Sequence, residues 1–104
     1  MHHVFYHFGE CLTLNSGAAA FTRSLAQEIG ARNINANCVA PGATETPLLQ
    51  SLSKQAIEAI RASIPKRRLA TVDDIVPAYI FLAFNESRHF VGQCISPNGG
   101  DVML

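Results

Sequence analysis

The amino-acid sequence predicts an α/β fold with parallel strands, and three observations carry that prediction. Apolar residues at helical spacing run through 10–29, a strand-like segment at 33–40 stops at Pro41-Gly42, and a second strand-like segment at 91–96 comes only after two more helical runs. Strands joined through helical crossovers of this length pair in parallel.

The first helix is expected over 10–29. Leu14, Ala18, Phe21, Leu25 and Ile29 recur at three- and four-residue steps and define one face. Ala18, Ala19, Ala20 and Ala26 favour helix, Gly17 weakens it, and Gly30 stands where a left-handed cap belongs. In the strand that follows, Ile34, Ala36, Cys38 and Ala40 share a face, although Asn33, Asn35 and Asn37 are poor strand formers. Residues 43–53 are polar and turn-rich. Ile57, Ile60 and Ile64 then form a narrow stripe on a helix over 54–63, which Pro65 ends. Thr71 with Asp73 and Asp74 marks a helix start, and Ile75, Tyr79 and Leu82 carry that helix through 72–84 despite Pro77. The last strand ends at Pro97-Asn98-Gly99-Gly100. Residues 1–9 hold three of the four histidines and show no turn chemistry, and no element is assigned to them.

Composition bounds the function. With 104 residues the chain is one domain at most. It is 48% apolar and only 15% charged, against roughly 25% charged for a typical soluble domain. Eight basic and eight acidic residues give zero net charge, which argues against binding nucleic acid by phosphate neutralisation. No apolar run approaches the ~20 residues of a membrane helix. The first ten residues lack the apolar core of a signal peptide, so a cytoplasmic location is expected. Three cysteines without CxxC spacing make no disulfide framework, and Cys38 and Cys94 read as buried apolar residues.

Larger motifs are more specific. AAAFTRSLAQEIGARNINANCVAPGATETP resembles the second half of a short-chain dehydrogenase/reductase, through Ile34, Asn37, Val39, Pro41, Gly42 and Thr46. IPKRRLATVDDIVPAYIFLA resembles a further segment of that family through Pro65, Arg68, Asp74, Ile75 and Phe81-Leu82-Ala83, and VGQCISPNGG resembles its last strand through Gly92, Gln93, Gly99 and Gly100. The resemblance spans about residues 16–102, with a flavour of the 3-oxoacyl-acyl-carrier-protein reductases. It implies a partial doubly wound, Rossmann-like parallel sheet made of the C-terminal helices and the last two strands. Residues 10–104 are then the C-terminal part of that domain, and 1–9 a divergent N-terminal segment.

The resemblance also implies hydride transfer with NAD or NADP. In the family a Tyr acts as general acid or base, a Lys four residues later lowers its pKa, and a Ser from an earlier strand polarises the carbonyl. The cation matters because a free phenol titrates near 10. Counting back from Phe21-Thr22-Arg23, these Tyr and Lys positions hold Cys11 and Asn15, and no Tyr-x-x-x-Lys occurs in the 104 residues. The glycine-rich strand-to-helix turn that presents backbone N–H groups to a pyrophosphate is also missing, and the family Ser would lie upstream of Met1. The expectation is a chain without a catalytic pair that binds no cofactor and transfers no hydride by itself. What it retains of the cofactor site is the loop beside the nicotinamide, at Pro41, Gly42, Thr44 and Thr46. The family packs its long helix across subunit interfaces, so the expected partner is another copy of the chain or the missing N-terminal half. The alternative is a non-catalytic association module built on that helix interface.

Three further patterns weigh less. His3, His7 and Cys11 would share a face of a helix and bind zinc only if a helix formed there. Lys66-Arg67-Arg68 is a short basic cluster, in which Arg68 is by resemblance a structural arginine. Asn85-Glu86-Ser87 fits a glycosylation sequon.

Overall fold

A computed structural model describes residues 2–7 and 12–103, with side-chain surroundings from residue 17 onward. The chain forms β1 (His2–His7), α1 (Leu12–Ile29), a 3-10 turn (Gly30–Arg32) and β2 (Ile34–Val39). It continues through α2 (Pro47–Gln50), α3 (Lys54–Ser63), α4 (Val72–Ala83), a second 3-10 turn (Asn85–Ser87) and β3 (Cys94–Ile95). The strands lie in the order β1-β2-β3, and both pairs are parallel. This is the α/β architecture expected of a partial Rossmann-like sheet.

The expected β2–β3 pair is joined by a strand from the segment that gave no sequence signal. β1 runs beside β2 in register from His2↔Ile34 to His7↔Val39. A ladder against a buried neighbour supplies the order that local propensity did not declare. Because 2–7 is extended rather than helical, His3 and His7 stand about 13 Å apart along the strand at ~3.3 Å per residue. The helical face on which the zinc pattern depended is therefore not formed, and Cys11, its third member, lies outside the described residues.

β2 is central and buried on both faces, from Asn35 through Val39. Burial of two asparagines in a strand is explained by their partners. The Asn35 amide donates to the Arg88 carbonyl at 3.0 Å, and the Asn37 amide donates to the Phe90 carbonyl at 2.9 Å. The Asn37 side-chain oxygen accepts the Gln93 N–H at 3.0 Å. Each buried polar group is therefore paired, as burial demands. The two side chains guide the incoming segment to β3, which is shorter than the expected 91–96 because Gly92 turns with φ +69°.

α1 ends as expected at Ile29, but its cap differs. The chain tightens through the 3-10 turn, and the left-handed residue is Asn33 (φ 59°) rather than Gly30, with its N–H bonded to the Gly30 carbonyl at 3.2 Å. Asn tolerates this conformation among non-glycine residues. The buried stripe is also rotated from the expected one. Thr22 and Ala26 are buried while Phe21 is 53% exposed. Thr22 is accepted inside because its hydroxyl donates to the Ala18 carbonyl at 2.9 Å. The small side chains of Ala18, Thr22 and Ala26 bring the helix close to the sheet, and a Cβ at Gly92 would touch the Ala26 Cβ at 3.4 Å.

α3 starts at Ser53, whose hydroxyl accepts the Ala56 N–H at 3.1 Å, and it leans Ile57 and Ile60 on a small core of Ala43, Leu49, Ile64 and Leu69. α4 buries Ile75 and Leu82 and passes through Pro77. Its opposite side exposes Val72, Val76 and Ile80, followed by Phe84. The accessible surface of 6936 Å² exceeds the roughly 5,700 Å² of a compact monomer of this mass. The radius of gyration, 15.0 Å, exceeds the ~13 Å of a compact 100-residue domain. Among the described residues no helix is long and apolar enough to cross a membrane.

Candidate functional site

In a parallel sheet every strand ends on the same side, and ligands of open α/β sheets bind beyond those carboxyl ends. Here β2 runs out into residues 40–46 and β3 into residues 97–100, so Pro41, Gly42, Thr44 and Thr46 lie beyond that edge. Asn15 lies in the first turn of α1, and Cys11 lies outside the described residues.

The β2 and β3 exits are tied together. The ladder continues from Ala40 N–H to the Ile95 carbonyl at 2.9 Å and from Gly42 N–H to the Pro97 carbonyl at 3.2 Å. Gly42 is required by space: a Cβ there would lie 2.7 Å from the Asn98 Cα. The segment before α4 closes the third side. Ala70 N–H donates to the Ala43 carbonyl at 2.9 Å, Glu45 N–H to the Ala70 carbonyl at 2.8 Å, and Lys66 N–H to the Gly99 carbonyl at 3.2 Å. The Asn98 side chain fixes its own turn, accepting Gly100 N–H at 2.9 Å and donating to the Val102 carbonyl at 2.7 Å.

Arg68 braces this end. It makes two bonds to Asp74, at 2.6 and 3.0 Å, and one to the Leu69 carbonyl at 3.2 Å, the structural role its motif implied. Asp74 also accepts the Thr71 N–H at 2.8 Å. Arg68, with help from the Thr71 N–H, holds the Asp74 carboxyl well below the usual carboxylate range, so α4 begins on a fixed negative charge that suits its dipole. Between these segments lies a cavity of about 220 Å³ lined by Lys66, Arg68, Ala70, Asp74, Pro97, Asn98 and Gly99.

The four loop residues lie together, but their polar groups turn partly inward. The Thr44 hydroxyl donates to the Gly42 carbonyl at 2.8 Å. The Thr46 hydroxyl accepts the Leu49 N–H at 3.3 Å and caps α2, where Pro47 occupies the first turn. The hydroxyl proton of Thr46 is not used in that bond. Both threonine hydroxyls are thus engaged within the loop and at the start of α2. Among the described residues no group of three His, Cys, Asp or Glu side chains is placed to hold a metal.

The asparagines at 35 and 37 were missed as structural determinants of this edge. Their alternation in NINAN was the available signal, since polar residues repeated on one strand face need buried partners.

The architecture is that of a parallel, Rossmann-like α/β fold. A family model described as enoyl-(acyl carrier protein) reductase matches residues 13–101, and the chain belongs to the short-chain dehydrogenase/reductase family. It is 45% identical over 89 residues to nodulation protein G of Rhizobium sp. (strain N33), covering 86% of this chain and 36% of that protein. It is 39% identical over 85 residues to the acetoacetyl-CoA reductase of Acinetobacter sp. (strain RA3849), covering 82% and 34%. The 3-oxoacyl-[acyl-carrier-protein] reductase of Chlamydia muridarum is 35% identical over 85 residues, with 82% and 34% covered. The chain thus spans about a third of the length of these relatives.

Proposed function

We propose that this chain is the C-terminal portion of an NAD(P)-dependent short-chain oxidoreductase acting on a carbonyl or alcohol, and that by itself it transfers no hydride. The observation that carries the reading is the carboxyl edge. Pro41, Gly42, Thr44 and Thr46 sit beyond β2, braced by Pro97–Gly100, while the general acid/base positions at the start of α1 hold Cys11 and Asn15. The loop is the share of a nicotinamide cradle that this chain contributes. A thiol at 11 reaches less far than a phenol, and an amide at 15 brings no cation to lower its pKa. Loss of a general acid/base costs typically about 10²–10⁴-fold, and the pyrophosphate-binding turn must come from outside these residues. An acyl-thioester ketone as substrate fits the two reductases named above, and a cytoplasmic setting is proposed with it.

A second reading, a module that works by association, is favoured by the apolar side chains left exposed on α1 and α4: Phe21, Val72, Val76, Ile80 and Phe84. Both readings place a partner there, either a second copy or the N-terminal half of the fold. Sedimentation of the purified chain separates them from a free-standing monomer. Self-association or capture of the N-terminal half of a reductase supports a partner, whereas a monomer that binds neither removes the association reading.

A further inference from the structure

We propose that Cys38 and Cys94 form an oxidation-sensitive dithiol that closes to a disulfide between β2 and β3. The two residues are direct partners in the parallel register, Cys38↔Cys94, so their side chains leave the sheet on the same face. Adjacent strands lie about 4.7–4.9 Å apart, inside the roughly 4.4–6.8 Å that a disulfide requires between Cα atoms. Both cysteines are reduced, Cys38 buried and Cys94 half-buried. The Cys94 side chain lies close enough to the Cys38 thiol to act on it electrostatically, and Thr22 of α1 stands on the same side. Closing the bond asks the two Cβ atoms to approach to about 3.5–4.5 Å, a small shift for a strand paired at only two residues.

The order of events follows from exposure. Burial, helped by Cys94, pushes the Cys38 thiol up to about 12, so the partly exposed Cys94 is the first to react. With a small-molecule disulfide such as oxidised glutathione as the oxidant, the Cys94 thiolate attacks one of its sulfurs. A mixed disulfide forms, and the first glutathione leaves as its thiolate. The Cys38 sulfur, on losing its proton, then attacks the Cys94 sulfur, closes the protein disulfide and expels the second glutathione. Two protein thiols lose two electrons and two protons, and one oxidised glutathione becomes two reduced molecules.

The position gives the bond a consequence. β3 holds β2 through only two paired residues, and the loops 40–46 and 97–100 leave the sheet just beyond them. A covalent tie at Cys38–Cys94 fixes these two loops relative to each other, whichever partner completes the fold.

The test equilibrates the folded 104-residue chain with oxidised glutathione, alkylates remaining thiols and maps the peptides by mass spectrometry. The same is done on Cys11→Ser, which removes the third thiol, and on Cys94→Ser. Circular dichroism reports that each sample is folded. The expected result is one intramolecular link joining the Cys38 and Cys94 peptides, with a mass lower by two hydrogens, in the native chain and in Cys11→Ser but not in Cys94→Ser. Alkylation of both cysteines in the folded native chain would overturn the proposal. So would a glutathione adduct that stays on Cys94 without closing, or links that involve Cys11 alone.

Discussion

Two regions of the molecule meet their burial needs differently. Around α2 and α3 the chain is self-sufficient: Ala43, Leu49, Ile64 and Leu69 pack with Ile57 and Ile60, and the surrounding loops bond to one another. On the outer sides of α1 and α4 it is not, since Phe21, Val76 and Ile80 stay exposed. The contrast explains the low charge of the sequence. A chain with 15% charged residues has one region packed against itself and another whose apolar side chains stay exposed, and the proposal of a partner rests on the second.

The comparison is broken most severely from within the finished region. Ile64→Ala empties a side chain only 1% exposed, and chemical denaturation should show a loss of about 2–5 kcal/mol. Gly42→Ala comes next. Its Cβ would meet the Asn98 backbone at 2.7 Å, so the β2 and β3 exits must part, at a cost of about 1–3 kcal/mol. An undisturbed melting transition in that variant would mean the two loops are not in contact. The unfinished region should respond in the opposite sense. Ile80→Glu, at a site 52% exposed, should leave monomer stability within about 0.5 kcal/mol while weakening self-association in sedimentation. The last effect is a modest gain. A Cβ on Gly17 meets no atom within 4 Å, so Gly17→Ala should stabilise α1 by about 0.5–1 kcal/mol.

Regular periodicity made α1, α3 and α4 readable in the sequence, and the Pro41-Gly42 stop located the end of β2. What local reading missed depends on contacts made far along the chain. Asn35 and Asn37 are strand residues because carbonyls at 88 and 90 receive their amides. Thr22 rather than Phe21 faces the sheet because its hydroxyl is satisfied within its own helix. β1 exists because β2 offers it a ladder, which no pattern within 2–7 announces. Pro41, Gly42, Thr44 and Thr46 were singled out through a family motif, and the loop beyond β2 holds all four. The inward bonds of the two threonine hydroxyls were not legible, since they depend on where the loop folds back.

The central claim is that this chain carries one side of an oxidoreductase site without the groups that perform the transfer. The most direct measurement is NADPH oxidation by the purified 104-residue chain with acetoacetyl-CoA as a 3-oxoacyl substrate. The account predicts a rate indistinguishable from that without protein, and steady turnover that scales with the concentration of the chain would contradict it.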